Sequence, residues 1–144
     1  MKVKIKKLYD DAITPTIGTP LSAGHDLYAC ISNDITIPPQ TSQMIGTGIS
    51  VEIPQGFFGG IFARSGLSTK LGLRPANCTG VVDADYRDEI KVCLYNDSNE
   101  ERVIKNGERI AQLVVIPFLK FEFVESDILS DTEREGGFGS TGIK

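Results

Sequence analysis

Ile110-Ala111-Gln112-Leu113-Val114-Val115-Ile116-Pro117-Phe118 is the longest apolar run in the chain, and its reading decides the fold. It is far shorter than the roughly twenty apolar residues that a membrane helix needs. Its Val and Ile side chains branch at Cβ and fit a pleated surface better than a helix. A buried strand is the consistent assignment. Shorter runs of the same kind lie to the N-terminal side: Ile35-Thr36-Ile37, Ile49-Ser50-Val51-Glu52-Ile53, Phe57-Phe58-Gly59-Gly60-Ile61-Phe62 and Ile90-Lys91-Val92-Cys93-Leu94-Tyr95. Turn signals such as Pro38-Pro39, Pro54-Gln55-Gly56 and Asn106-Gly107 separate them, at intervals of about ten to fifteen residues, as in sandwiches and barrels. Only Gly66 to Leu71 could hold a short helical turn. The expected fold is all-β and jelly-roll-like, with at most one short helix.

A chain of 144 residues is long enough to bury a core without disulfide or metal support. The basic start, Met1-Lys2-Val3-Lys4-Ile5-Lys6-Lys7, alternates lysines with Val3 and Ile5 and reads as an edge strand. It lacks the apolar stretch of a signal peptide, so a cytoplasmic or nuclear protein is expected, or one of the host cytoplasm if the source is viral. Cys30, Cys78 and Cys93 are an odd set without metal-ligand spacing, and His25 is the single histidine; reduced, packed thiols are expected rather than a zinc site. A net charge of −4 argues against general nucleic-acid binding. It leaves room for a small anionic substrate whose charge a divalent cation and a few placed donors would carry.

The C-terminal end has a different character. Residues 1–130 read as the β-sheet body, whereas 131–144 lose the apolar periodicity and carry Gly136, Gly137, Gly139 and Gly142. Most chain ends fray. This one also holds Phe138 between glycines, followed by Ser140-Thr141, which is the composition of an arm that orders over a ligand.

Two further segments carry chemistry. Asp83-Ala84-Asp85-Tyr86-Arg87-Asp88-Glu89, after the apolar Gly80-Val81-Val82, is the densest acidic cluster. It reads either as a solvated turn or as a site in which a carboxylate at a strand end acts as general base on water. Arg64-Ser65-Gly66 offers a guanidinium, a hydroxyl and an unobstructed amide, which suits a phosphate chain or, equally, a capped turn that begins a helix at Ser65. Ser65 is not a hydrolase nucleophile, because the G-x-S-x-G elbow is absent. The glycine-rich end is no Walker A loop, because no Gly-Lys-Ser/Thr opens a helix.

In order along the chain, these segments resemble the five short motifs of the trimeric dUTPase family. The first is similar to Ala23-Gly24-His25-Asp26-Leu27-Tyr28, the second to Ala63-Arg64-Ser65-Gly66-Leu67, and the third to Gly80-Val81-Val82-Asp83-Ala84-Asp85-Tyr86-Arg87. The fourth is similar to Gly107-Glu108-Arg109-Ile110-Ala111-Gln112-Leu113, and the fifth to Arg134 with Gly136-Gly137-Phe138-Gly139-Ser140-Thr141-Gly142. The sequence departs from the family pattern at Ala63, usually Pro, at Asp88, usually Gly, and at Glu135, one residue where two usually stand before Gly136.

The resemblance implies a dUTP diphosphatase that forms dUMP and pyrophosphate and works as a homotrimer with shared sites. It implies that Asp83 activates the attacking water, that Tyr86 packs under the deoxyribose, and that Asn77 and Gly80 belong to a uracil-recognising hairpin of about residues 77–83. Arg64, Ser65, Gly66 and Gln112 would hold the phosphates, and Asp26 would orient Mg²⁺ through water. Phe138 would stack on the uracil, with Arg134, Ser140 and Thr141 closing over the β- and γ-phosphates and Gly139 also binding substrate. Neither nucleic acid nor membrane is an expected partner, while an unidentified protein partner stays open. The alternatives are a dCTP deaminase or bifunctional deaminase and dUTPase, which would need a further acid/base residue, and a nucleotide-responsive regulator on the same fold.

Overall fold

The structure, a computed structural model, describes residues 1–133. The expected longest strand is there as β12 (Arg109–Pro117) and lies at the centre of a five-stranded sheet. β3 (His25–Tyr28) flanks it on one side and β7 (Phe57–Phe62) on the other. β2 (Thr16–Ile17) extends the sheet beyond β3, and β9 (Thr79–Val82) extends it beyond β7. All of these pairings are antiparallel, so the sheet can bury one face and leave the other open.

Three smaller sheets complete the body. β5 (Ser42–Gly46), β10 (Lys91–Asn96) and β8 (Leu73–Pro75) form one, with β10 in the middle. β1 (Lys4–Lys7) pairs β6 (Ile49–Glu52), which bears out the basic edge strand. β4 (Ile35–Ile37) pairs β11 (Arg102–Ile104). Leu27, Ile37, Ile45, Ile49, Leu94 and Ile110 are almost wholly buried between these layers, each worth about 1.5–3 kcal/mol relative to exposure. Asn96 is buried as well, and its amide donates to the carbonyls of Ile37 and Glu100. The polar group is therefore satisfied and ties β10 to the end of β4.

The short helix α1 (Ser65–Leu71) occupies the expected place. Gly72 ends it at φ 68°, ψ 22°, the left-handed conformation that glycine adopts without a Cβ penalty. Ser65 does not cap the helix: Arg64 holds the cap position, and no side chain caps the N-terminus. The thiol expectation needs one correction. All three cysteines are free, and Cys30 and Cys93 are partly buried, but Cys78 is exposed at a corner where its own φ is +61°.

The last strand ends at Pro117, and 118–133 carry no further strand. Leu119 is 88% exposed and Phe123 90%.

Candidate functional site

One row of residues crosses the five-stranded sheet: Thr16, Asp26, Gln112, Phe62 and Thr79 are successive cross-strand partners. Direct partners in antiparallel strands project to the same face, so Asp26 and Gln112 lie side by side. A bulge in β12 sets this alignment. Arg109 pairs Tyr28 and Ala111 pairs Leu27, which leaves Ile110 as the extra residue. Without it, Ala111 would stand opposite Asp26 and Gln112 would turn to the other face.

Chain segments just beyond the row complete the notch. Arg64, two residues past the end of β7, donates from Nε to Asp26 Oδ1 at 2.7 Å. Its Nη1 reaches the Arg109 carbonyl at 3.4 Å. Arg109 in turn donates from Nη1 to Asp26 Oδ2 at 3.4 Å. Asp26 therefore holds two guanidinium groups, one on each carboxylate oxygen. The Gln112 amide donates from Nε2 to the Ala63 carbonyl at 2.9 Å, which fixes the chain just before Arg64. Ser65 and Gly66 follow, both exposed, and a Cβ at Gly66 would meet only open space. The notch borders a cleft of about 370 Å³ lined by Tyr28, Arg64, Leu67, Arg102 and Arg109, among others. Its chemistry is that of an anion cradle: fixed, planar, charged donors beside a hydroxyl and a bare backbone.

Asp83, Tyr86, Asn77 and Gly80 form a separate group. β9 runs antiparallel to β7, with Thr79 opposite Phe62 and Val82 opposite Gly59. The Val82 rung thus lies about 10 Å from the Phe62 rung, at roughly 3.3 Å per residue, and Asp83 lies beyond it. Within one chain, Asp83 sits at the far end of β7 from Arg64. Neither Asp83 nor Tyr86 lines the 370 Å³ cleft beside Arg64. Residues 77–83 are also not a two-stranded hairpin. β8 pairs only β10, while β9 pairs β7, so the chain changes sheet at this corner. Asn77 does face Gly80: a Cβ added at Gly80 would lie 3.5 Å from the Asn77 amide nitrogen.

The turn after β9 is tightly tied. Tyr86 N–H donates to the Asp83 carbonyl at 3.2 Å. Arg87 donates from Nη1 to the carbonyls of Ala84 at 2.7 Å and Tyr86 at 2.9 Å. The carboxylate of Asp83 is exposed at the strand end and open to solvent. Tyr86 is 40% exposed, and its hydroxyl donates to the Glu89 carbonyl at 2.9 Å.

Two contributors escaped the sequence reading. Arg109 stands within the fourth motif, but only the fold brings it to Asp26. Gly24 stands within the first, and its role is steric: a Cβ there would approach Gln112 Oε1 to 2.3 Å. A glycine beside a motif carboxylate was the available signal. Arg134, Phe138, Gly139, Ser140 and Thr141 lie outside the described residues.

A sequence model of the dUTPase family matches residues 10–142. The chain belongs to the dUTPase family. It is 47% identical to the deoxyuridine 5'-triphosphate nucleotidohydrolase of Hydrogenobaculum sp. (strain Y04AAS1) over 145 aligned positions that span the whole of both chains. It is 49% identical to the enzyme of the same name from Nautilia profundicola, with 99% of each chain covered. Among solved structures it resembles a mutant dUTPase of Staphylococcus bacteriophage 80alpha with dUpNHpp, at a TM-score of 0.84 and 29% identity, covering 99% of both chains. Another mutant dUTPase from phage 80alpha aligns at a TM-score of 0.86 and 28% identity, over 96% of this chain and 98% of that one. The dUTPase fold of this chain thus carries the first four motifs on two separate structural platforms, the Asp26–Arg64–Gln112 notch and the Asp83–Tyr86 turn.

Proposed function

We propose that this dUTPase-family chain hydrolyses dUTP to dUMP and pyrophosphate. Asp83 takes a proton from a water that attacks the α-phosphorus in line. The new P–O bond forms as the bond from the α-phosphorus to the bridging oxygen breaks, and pyrophosphate leaves with that oxygen. Tyr86 lies under the deoxyribose and fills the space of a 2′-hydroxyl, while Asn77, the backbone around it and Gly80 take the uracil. Arg64, Ser65, Gly66 and Gln112 hold the phosphates. Phosphoryl transfer of this kind depends on positioning and on electrostatic stabilisation more than on covalent catalysis.

The observation that carries this reading is the notch itself. A guanidinium locked by Asp26 at 2.7 Å, followed by an exposed hydroxyl and an open glycine, is built to meet an anion rather than to fill a core. Mg²⁺ fits the donors present in one way. No cluster of three or more His, Cys, Asp or Glu side chains stands ready to hold a metal among the described residues, but Mg²⁺ commonly keeps several waters and takes its other ligands from substrate phosphates. Asp26 would accept hydrogen bonds from that water shell, and the ion would supply charge neutralisation along the triphosphate.

A homotrimer joins the two platforms. Asp83 of one chain would face the Arg64 notch of a neighbour, and the arm with Phe138, Ser140 and Thr141 would close over both. Closure excludes bulk water and strengthens each charge interaction in the site. The exposed apolar side chains between Leu119 and Leu129 are the surface that assembly would cover.

The test is pyrophosphate release from dUTP, UTP, dTTP and dCTP, each with and without Mg²⁺. Release confined to dUTP and dependent on Mg²⁺ is the expected result. Ammonia release from dCTP would replace this reading with the deaminase.

A further inference from the structure

The sugar-facing role of Tyr86 leaves open what keeps its ring in place, since the side chain is 40% exposed and lies in a turn. Its hydroxyl anchors the ring by donating to the Glu89 carbonyl at 2.9 Å. Glu89 is itself held. Its carboxylate is tucked against the turn between β5 and β6, with Oε1 accepting from the Gly48 N–H at 2.9 Å. Its side chain is only 15% exposed, with Lys91 Nζ 3.6 Å from Oε2. Gly46 leaves the room for this, because a Cβ there would come within 2.6 Å of Oε1. The next residue continues the seam: Ile90 N–H donates to the Ile49 carbonyl at 2.8 Å, and its carbonyl accepts from the Thr47 hydroxyl at 2.6 Å.

From this geometry we infer that Glu89 is a positioning residue for sugar discrimination. Its half-buried carboxylate pins the end of the 83–89 turn to the 46–48 turn, and the Glu89 carbonyl thereby fixes the Tyr86 ring against the place of a 2′-hydroxyl. Glu89 touches no substrate. The inference rests on the sugar-facing role proposed for Tyr86.

Glu89 closes the acidic cluster that begins at Asp83. Its burial separates it from Asp85 and Asp88, which are exposed. A carboxylate accepting a backbone N–H in a half-buried site is a charge-assisted bond, and removing it leaves the Gly48 N–H without its partner.

The experiment measures kcat/KM for dUTP and for UTP in the full-length enzyme and in Glu89→Ala, Glu89→Gln and Tyr86→Phe. The dUTP-to-UTP ratio should fall about tenfold in Glu89→Ala, the effect of losing one such bond, chiefly because UTP improves. Glu89→Gln keeps an oxygen for the Gly48 N–H and should restore most of the ratio. Tyr86→Phe cuts the same link from the other side and should lower the ratio by a similar factor; adding Glu89→Ala to it should lower it little further. A general loss of structure would reduce both substrates together and would not be rescued by Gln. An unchanged ratio in Tyr86→Phe overturns the inference even if Glu89→Ala fails to fold. Failure of the unaltered enzyme to hydrolyse dUTP would instead remove the functional reading on which the inference stands.

Discussion

Gly24 has no side chain, yet the geometry makes it a determinant of the Asp26–Arg64–Gln112 notch. Gly24→Ala places a methyl against Gln112 Oε1, so the amide end must shift, which strains its hydrogen bond to the Ala63 carbonyl at 2.9 Å. Turnover of dUTP should fall by about tenfold or more, the worth of a displaced hydrogen-bonding group, while the far-ultraviolet circular dichroism of a β protein stays. Unaltered kcat/KM would show that Gln112 does not need this room. The cysteines give a second residue-scale test. Burial, the hydrogen bond to Asp11 at 3.4 Å and the charges of Asp11 and Glu89 all raise the Cys30 thiol above its ordinary range. A raised thiol pKa means less thiolate, the reactive form, at a given pH. At mildly alkaline pH, iodoacetamide should therefore label exposed Cys78 well before Cys30, and Cys30 should gain rate as the pH rises further. Equal rates, read by peptide mass spectrometry, would contradict the burial of Cys30.

At the scale of elements, much was legible in the chain. The Ile110–Phe118 run named β12, the Pro38, Pro54 and Gly107 regions marked turns, and the one short helix fell where Gly66 to Leu71 allowed it. Local pattern reaches this far because strand burial and turn chemistry are written within a few residues. Pairing is not local. That β9 joins β7 rather than β8, and that a bulge at Ile110 sets Gln112 against Asp26, depends on contacts with residues distant in sequence. The separation of Asp83 from Arg64 follows from that register, so no motif spacing could disclose it. The glycine-rich end is the element where the two sequence readings differ most. Deleting Thr132 to Lys144 should leave the melting temperature within a few degrees, because the segment holds little apolar surface for a core. Turnover should drop steeply, because Phe138 and the hydroxyls of Ser140 and Thr141 would no longer close the site. Full activity in the truncated enzyme would make the segment an ordinary chain end.

On the scale of the whole molecule, one chain presents two separate platforms and a row of exposed apolar side chains, Leu119, Phe121, Phe123, Val124, Ile128 and Leu129, interspersed with charged residues. The proposed homotrimer would account for both, since a symmetric ring brings one end of a subunit to the other end of its neighbour. Mixing two disabled chains tests this most directly. Asp83→Asn removes the base, and Arg64→Ala removes the locked guanidinium; each variant alone should hydrolyse dUTP at least about a hundredfold more slowly than the unaltered enzyme. Co-refolded in equal amounts, they should recover about a quarter of the unaltered activity, the share of sites in which random assortment pairs an intact Asp83 with an intact Arg64 from the adjacent subunit. If each site is built within a single chain, every site in the mixture keeps one lesion, and activity that stays at the level of the separate variants would contradict the shared site.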